Sequence, residues 1–547
     1  MFIQTSLFTA TILAFGTSLA FAQEDHSKHA HAVAGLGTVH FPTSCNATAQ
    51  SSISRAAALL HSFGYEEARL MFTQALKADP SCGIAHWGVA RTYYHPIWAP
   101  PSPEELKLGS EAVQRALATS AKTRRERDYI DALAVFFKDW QSVDHATRAT
   151  RYEQALATMQ ARYPDDDEAA IFHALQVVAL GYLDPSDKTY AWQKKGGEIL
   201  NRLLPRHPSH PGIAHYLIHS LDYPSLAELG LKAARAYAKI APDSAHALHM
   251  PSHIFTRLGL WDDSVASNAA SAKSAIAQAQ RLHGGGGSFD QLHAIDYLVY
   301  AWLQQAKDDS ALTALRDLES TSKLDENQFA AAYAFAASPA RWALERHDWK
   351  AASALTVKPE WFPWSRFRNV EALIHYARAI GAARTGDMTA ARQAVGAISD
   401  IQRALPSGRD YDWSGSIRAQ LEVANALIAF SDGNRSEGLR LLQSAADHED
   451  SVDKHPVTPG ALLPARELLA DLLLESDKAE AALREYERVL QTAPRRFNAT
   501  AGAAKAAARS GDKVKARAYA QQLIDIARNA EAVRPELDWA RTYLREP

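Results

Sequence analysis

Apolar residues recur at three- and four-residue spacing along almost the whole chain, and tight turns interrupt this helical period. Residues 59–80, LLHSFGYEEARLMFTQALKADP, show the unit most clearly. Gly64 lies in the turn of this unit, and Ala68 lets its two helices approach closely. Phe72 belongs to the buried stripe of the second helix, which Pro80 ends. Because one helical pair cannot bury its apolar face alone, the pattern predicts an all-α stack of pairs with a concave inner face.

Weaker copies of this turn continue towards the end of the chain. In each copy a small residue follows the turn by about five positions, at residues 259–264, 347–352, 386–391, 433–438, 476–481 and 511–516. From residue 347 onward the turns are 39, 47, 43 and 35 residues apart, so the repeats vary in length. We predict two runs of helical repeats, over residues 51–300 and 301–547.

The unit at 59–80 resembles the second half of a tetratricopeptide repeat, whose period is about 34 residues. The whole chain is similar to exported tetratricopeptide-repeat proteins that carry HYLIH and HMPSHIF segments, which stand here at 215–219 and 249–255. The resemblance implies an α-α superhelix outside the cytoplasm, and it supplies no reaction. The Lys and Asn residues with which carboxylate-clamp repeats bind chaperone tails are not matched at the first repeat. This mismatch argues against a chaperone tail as the partner.

Charge and motifs exclude several classes of function. The chain has 59 Lys and Arg against 62 Asp and Glu, so its formal charge is −3. This near-neutrality removes the electrostatic argument for a nucleic-acid partner. The sequence contains no phosphate-binding P-loop, no dinucleotide-binding glycine motif, no serine nucleophile elbow and no H-E-x-x-H zinc motif. Common ATPases, dehydrogenases, serine hydrolases and zinc proteases therefore have no support.

The N-terminal residues 1–22 are typical of a secretory signal peptide. They contain no charged side chain, have an apolar middle and end in the small-x-small pattern Ala20-Phe21-Ala22. An uncleaved membrane anchor is the alternative interpretation. No later apolar run reaches the length of about 18 residues that a bilayer crossing needs. We therefore expect a secreted or periplasmic protein without a stable membrane span after cleavage.

The next segment, residues 23–50, leads into the first helix. It is polar, lacks periodicity and carries His26, His29 and His31. We interpret it either as a solvated linker or as a tail that scavenges metal.

Cys45 and Cys82 are the only cysteines of the chain. Export would place them in an oxidising compartment, where pairing is the expected state. Cys45 precedes the first predicted helix and Cys82 follows the second. We therefore predict a disulfide bond that joins the segment before the first helix to the end of the first helical pair.

Histidine is the residue type with the most uneven distribution. Of 22 histidines, 18 lie within the first 293 residues. Two segments stand out, HYLIHSLD at 215–222 and HALHMPSHIF at 246–255. Helical spacing puts the histidines of each segment on one face: His215 with His219, and His246 with His249 and His253.

The register between the two segments points to a metal site. His249 lies 34 residues after His215, and His253 lies 34 residues after His219. In a tetratricopeptide array this offset gives equivalent positions on adjacent inner helices, so four imidazoles converge. Imidazole nitrogens suit copper, iron and zinc, which the sequence does not distinguish. We therefore predict a transition-metal site, with His246 as a fifth ligand or as a residue that orients one.

Further candidate ligands lie on the neighbouring predicted helices. His173 is on the preceding inner helix, and His293 and Asp296 are three residues apart on the following one. The Asp296 carboxylate would complete a site for one metal or help to bridge two. Pro251 interrupts the histidine helix and should kink it, and such a broken local rule often marks a functional site.

Two functions from different classes remain open. In the first, the histidine site acts on a small molecule, with oxidation preferred to hydrolysis, and the protein is a metal-dependent enzyme. In the second, the array is a scaffold that binds peptides or proteins, which is the usual role of this fold. The histidines would then line the groove and form hydrogen bonds to organic anions or peptides. The sequence identifies no catalytic residue.

Two longer interruptions and one proline-rich loop complete the candidates. Residues 95–106 and 283–293 either cover part of the groove or form surface insertions. The loop at 448–469 concentrates three weaker groove candidates, His455, Arg466 and Glu467. It would face the groove if the superhelix completed a full turn, but we prefer to interpret it as a solvated connection.

Overall fold

Helices make up the regular structure of this protein. The computed structural model describes residues 35–119, 121–405 and 411–546. The chain is 71% helical, and an isolated bridge between Gly287 and Leu324 is the only β pairing in the described residues. The all-α prediction is confirmed. The predicted signal peptide at residues 1–22 and the tail histidines, His26, His29 and His31, lie outside the described residues.

The helices of the first half lead from the disulfide region to the histidine segments. They are α1 Ala47–His61, α2 Tyr65–Ala78, α3 Gly83–Arg91, α4 Pro103–Ala118, α5 Arg124–Phe137, α6 His145–Arg162, α7 Asp167–Gly181, α8 Ala191–Leu203, α9 Pro211–Leu221, α10 Ala227–Ile240, α11 Ala245–His249, α12 Pro251–Arg257, α13 Trp261–His283 and α14 Phe289–Gln304.

The second half continues the same succession, with one short 3-10 helix at Trp364–Arg366. Its α-helices are α15 Asp308–Glu319, α16 Phe329–Leu344, α17 Trp349–Ser353, α18 Arg368–Thr385, α19 Met388–Ala404, α20 Trp413–Ser431, α21 Arg435–Ser451, α22 Ala465–Glu475, α23 Ala479–Thr492, α24 Phe497–Arg509, α25 Lys513–Ile526 and α26 Pro535–Arg545.

Buried and amphipathic helices alternate along the stack. Every residue of α9 is buried, and α7 and α14 are buried on almost all sides. Between α9 and the next histidine helix, α10 is amphipathic: it buries Ala234 and Tyr237 and exposes Leu229. One helix of each pair therefore faces the inside of the stack and its partner covers the outside, as in tetratricopeptide-type superhelices.

The disulfide prediction is confirmed at the start of the stack. Cys45 and Cys82 are bridged, with their Cα atoms 5.3 Å apart and 37 residues between them in sequence. Asn46 begins α1 by accepting a hydrogen bond from the Ala49 N–H at 2.9 Å. Asp79, just after α2, accepts a hydrogen bond from the Asn46 N–H at 2.9 Å. The bridge and these bonds fix the segment before α1 against the end of the first pair.

The segment between α21 and α22, residues 452–464, runs across the concave face. The Asp453 N–H donates to the Pro185 carbonyl at 3.1 Å, and Lys454 Nζ lies 2.9 Å from an Asp222 carboxylate oxygen. Both partners belong to the first half of the chain. Our preferred interpretation of this loop as a solvated connection is therefore wrong, because its polar groups find their partners inside the protein.

In the described ranges, no helix combines the length and the apolar character that a bilayer crossing requires.

Candidate metal centre

Six histidines from four neighbouring helices of the first half meet inside the stack. They form two sets of three, which we call the first set and the second set. The first set is His215 and His219 of α9 with His246 of α11, and the second is His249 of α11, His253 of α12 and His293 of α14. Within each set, one nitrogen of every imidazole lies within 4.8 Å of the others. All six side chains are buried.

The break between α11 and α12 shapes this arrangement. α11 ends at His249 and α12 begins at Pro251, so the predicted disruption of the histidine helix is confirmed. His246 and His249 share α11 but belong to different sets, with ring centroids 6.3 Å apart. His253, one helix later, returns to the second set beside His249.

The closest nitrogens of the two sets form two short pairs. His215 Nε2 lies 3.0 Å from His246 Nε2, and His249 Nε2 lies 2.9 Å from His253 Nε2. Between the sets, the ring centroids of His219 and His253 are 6.0 Å apart. The two sets are therefore neighbours inside one buried region.

The opposite nitrogens of three imidazoles are hydrogen-bonded to acceptors. His215 Nδ1 lies 2.7 Å from the His61 carbonyl, His249 Nδ1 lies 2.7 Å from Asn268 Oδ1, and His253 Nδ1 lies 2.9 Å from Asp222 Oδ2. Since a carbonyl or carboxylate oxygen only accepts, these bonds assign the proton of each neutral ring to Nδ1. Each Nε2 then carries a free lone pair, as a metal-binding histidine requires.

This assignment tests whether a metal fits. The Nε2 atoms of His249 and His253 face each other at 2.9 Å with two lone pairs and no proton between them. His219 has no hydrogen-bond partner at either ring nitrogen in the described structure, and His246 has none at Nδ1. Buried polar atoms without partners cost free energy. A cation bound by each set would remove the lone-pair repulsion and give the His219 ring a partner, so the residues fit a metal.

Burial keeps the imidazoles in the neutral form. Loss of solvation lowers the pKa of all six rings below the ordinary histidine value. For His215 burial lowers the pKa to about 3. For His253 burial again lowers the pKa, although the neighbouring Asp222 carboxylate opposes the shift. Neutral imidazole is the protonation state that coordinates metals.

Asp222 stands behind the second set as an ionised group. Burial alone would raise the pKa of this carboxyl, but the positive charges of Lys454 and Arg257 outweigh burial and hold the pKa well below its usual range. Arg257 Nε lies 2.8 Å from Asp222 Oδ1, and Lys454 Nζ lies 2.9 Å from Oδ2. The same Oδ2 accepts from His253, so the carboxylate orients that imidazole.

His61 belongs to a hydrogen-bonded cluster behind the first set. His61 Nε2 lies 2.9 Å from one oxygen of Glu168, and His210 Nε2 lies 3.0 Å from the other. The Tyr216 hydroxyl lies 2.9 Å from His61 Nδ1. Both nitrogens of His61 therefore have protein partners, and the cluster holds in place the His61 carbonyl that accepts from His215.

The structure corrects the predicted register of the site. The closest cross-helix nitrogen pair joins His215 to His246, 31 residues apart, rather than His215 to His249, 34 residues apart. Asp296 lies outside both sets: its Oδ1 is 3.3 Å from Arg341 Nε, and its Oδ2 has no hydrogen-bond partner among the described residues. Burial raises the pKa of Asp296 to about 6, although Arg341 opposes the shift.

The remaining predicted candidates lie elsewhere. His173 is bonded to Glu153 at 3.0 Å and takes part in neither set. Arg466 forms ion pairs with three carboxylates from its own and neighbouring helices. Glu467 forms a buried ion pair with Arg496 at 2.7 Å. These residues hold helices together rather than contribute ligands.

Sequence reasoning missed the residues that surround the ligands. Asp222 stands three positions after His219 in the HYLIHSLD segment, and a carboxylate at that spacing is a usable signal for a group that orients a histidine. Asn268 and Lys454 carry no comparable signal, because they lie on elements that only the packed structure brings to the site.

Two cavities lie beside the histidine sets. The smaller, which we call the aromatic cavity, has a volume of about 80 Å³ and is lined by residues 94–100, Tyr182, Phe329, Tyr411, Trp413 and His455. Trp98 in its wall has its ring 5.5 Å from that of His246 and 6.0 Å from that of His293. The larger, the outer groove, has a volume of about 540 Å³. Tyr411, Trp413 and His455 line both cavities, so these rings separate the aromatic cavity from the outer groove.

No protein-family model and no curated protein matches this chain. Solved structures with a similar course include a human IFIT1 dimer with m7Gppp-AAAA, at 12% identity over 89% of this chain and 91% of that chain, with a TM-score of 0.39. A human IFIT1 dimer with PPP-AAAA covers 86% of this chain and 89% of that chain at 12% identity, with a TM-score of 0.37. The Naa15/Naa10 structure bound to HypK-THB covers 91% of both chains at 12% identity, with a TM-score of 0.23. These likenesses carry no inference about ligands, and the tetratricopeptide-type fold follows from the helical pairs themselves.

Proposed function

We propose that this protein is an exported oxidoreductase in which the two histidine sets bind a pair of copper ions and a small organic molecule is oxidised. The observation that carries the proposal is the buried pair of sets, with Nε2 lone pairs of His249 and His253 facing each other at 2.9 Å. Neutral imidazoles in this arrangement have no other role that would offset the free energy of burying them.

The donor set favours copper over the other metals. Both sets consist of neutral imidazoles, and no carboxylate of the described residues belongs to either of them. Two divalent ions there would carry four positive charges into a buried region, whereas two cuprous ions carry two. A smaller uncompensated charge costs less to bury. Copper also binds nitrogen sites more tightly than the other first-row divalent metals.

The chain's own groups would hold and orient the ligands. Asp222, Asn268 and the His61 carbonyl fix three imidazoles with Nε2 free. When bound, the copper pair supplies the one-electron steps through which dioxygen, the oxidant, takes four electrons and four protons from two substrate molecules and becomes two waters. The burial of all six histidines keeps bulk water away from the site.

Two features support export. Residues 1–22 form an apolar stretch without charged side chains. Cys45 and Cys82 are bridged, and disulfide bonds persist mainly in oxidising compartments such as the periplasm or the extracellular space.

The direct test is elemental analysis of the purified chain after anaerobic loading with cuprous ions. His26, His29 and His31 are replaced by Ala in every sample, so that the tail contributes no metal. Two copper ions per chain are expected. The H249A/H253A double variant should lose the second ion and keep its helix content, since helix stacking holds the fold together. H283A/H448A, which changes two histidines outside both sets, is the matched control and should keep both ions.

Each other outcome has a definite meaning. One ion per chain in the parent protein would refute the copper pair. Preferential retention of zinc would favour hydrolysis, because zinc has no redox chemistry. A chain that holds no stoichiometric metal after loading would refute the metalloenzyme, and the groove would then be that of a peptide- or protein-binding scaffold.

A further inference from the structure

We infer that the aromatic cavity binds a neutral, single-ring aromatic molecule of the phenol class, which is the substrate of the histidine centre. This inference rests on the proposed function for the word substrate only, since the binding itself is a property of the cavity.

The cavity carries no charge at neutral pH. No Asp, Glu, Lys or Arg is among its described lining residues. Its three histidines are held neutral, because burial lowers the pKa of His95, lowers that of His145 to about 4 and lowers that of His455 to about 3. An ionic ligand would lose its hydration here without gaining a counter-charge. The outer groove differs, because charged side chains of both signs, including Arg257 and Glu449, line it.

The shape of the walls selects a flat molecule. The Trp413 ring lies 4.7 Å from Tyr411, 5.1 Å from Phe329 and 5.1 Å from His455, measured between ring centroids. Trp98 and Tyr182 form the walls on the side of the histidine sets. Aromatic rings present flat faces and polarised edges, so they gain contact energy with a planar ring that an aliphatic molecule of equal size does not gain.

The size limits the ligand to one ring. The cavity volume is about 80 Å³, whereas an apolar cavity of roughly 150 Å³ in another protein takes up benzene. A single ring therefore fits after a modest widening, and a two-ring molecule does not.

The segment 96–101 is the wall that can move. Between described residues, no hydrogen bond involves its main chain. Pro96, Pro100 and Pro101 lack N–H donors. Ile97 has a φ of +82°, a conformation that costs free energy for a β-branched residue and occurs mainly at functional sites. The half-buried Trp98 rides on this segment, so a shift of the segment widens the cavity and uncovers His246 and His293.

Binding is tested on the full mature chain without metal, so that the result does not depend on the copper prediction. Calorimetric titrations compare phenol with benzoate and cyclohexanol at pH 7, where phenol is neutral and benzoate is an anion. Benzoate and cyclohexanol should bind at least about tenfold more weakly than phenol. Trp413→Leu should weaken phenol binding about tenfold, because it removes the ring in contact with three cavity walls. Trp361→Leu, at a tryptophan that is 43% exposed and outside the cavity, is the matched control.

A second measurement needs no variant. Hydrogen exchange of residues 94–102, followed by mass spectrometry, should slow on saturation with phenol and stay unchanged with benzoate. Phe329→Leu replaces Trp413→Leu if the latter fails to fold, which circular dichroism shows.

The outcomes separate this inference from the proposed function. Equal affinities for phenol and benzoate, or wild-type phenol affinity in Trp413→Leu and Phe329→Leu, would overturn the cavity assignment. Phenol binding in a chain that takes up no copper would leave the cavity assigned and refute the enzyme. Copper uptake without phenol binding would do the reverse.

Discussion

Asp222 accepts a hydrogen bond from His253 Nδ1 at 2.9 Å, although 31 residues separate the two in sequence. The same carboxylate binds Lys454, which comes from the second half of the chain. Asp222 therefore connects the second histidine set to the segment that crosses the concave face. It orients a ligand and ties the site to a distant part of the stack.

Replacement of Asp222 by Asn should weaken metal binding while all six histidines stay in place. Asn keeps an acceptor for His253, but it removes the negative charge that supports the bound cation and that pairs with Lys454 and Arg257. Loss of such a supporting group typically lowers metal affinity about 10- to 100-fold. Competition with a chelator of known affinity measures the change. Asp317→Asn, on the exposed face of α15, is the control, and equal affinities in the two variants would contradict the role of Asp222.

The buried His455 should make the stability of the metal-free protein depend on pH. Its folded pKa is lowered to about 3 by burial, with a contribution from Lys454, whereas the unfolded value is about 6.5. The unfolded chain therefore binds the extra proton first. The contribution of His455 is complete above about pH 6.5 and falls by about 1.4 kcal/mol per pH unit as the pH decreases towards 3.

The variant H455N tests this contribution. Asn retains an acceptor for the Val457 N–H, which lies 3.3 Å from His455 Nδ1, but it does not titrate. Between pH 7.5 and pH 5, urea unfolding should show that the wild type loses about 2 kcal/mol more than H455N. The same loss in both proteins would show that His455 does not stay neutral in the folded state.

Removal of the disulfide should destabilise the first helical pair. The bridge closes a loop with a sequence separation of 37 residues. The chain-entropy model gives about 4 kcal/mol for a loop of this length. The double variant C45S/C82S should therefore unfold at lower urea concentration than the oxidised wild type. A reductant should lower the wild-type midpoint to that of the variant and leave the variant unchanged, and any other pattern would argue against a stabilising bridge.

Gly259 and Gly386 allow a matched test of close packing. Both have left-handed φ angles, +65° and +83°. A Cβ atom at Gly259 would collide with the Pro494 carbonyl, whereas a Cβ at Gly386 would meet no atom within 4 Å. G386A should cost about 1 kcal/mol for the backbone conformation alone, and G259A at least about 2 kcal/mol, because the turn must also move away from Pro494. Equal losses in urea unfolding would show that the turn gives way freely.

The sequence alone predicted the helices, the turns between them and the disulfide bond. It also predicted that the histidines of 215–219 and 246–253 would come together, because residues three or four apart on a helix share a face whatever the rest of the chain does. Pro251 marked the break between α11 and α12 for an equally local reason.

The tertiary structure decided which histidines share a set. Irregular repeats shift neighbouring helices, so the closest contacts follow an offset of 31 residues rather than the 34 of a regular array. That shift pairs His215 with His246, groups His249 and His253 with His293, and leaves Asp296 to Arg341. The return of residues 452–464 across the concave face was equally invisible, because Lys454 meets Asp222 only after the whole stack has formed. Helical period is set by near neighbours in sequence, whereas the convergence of side chains depends on the accumulated rotation and the loop lengths of many repeats.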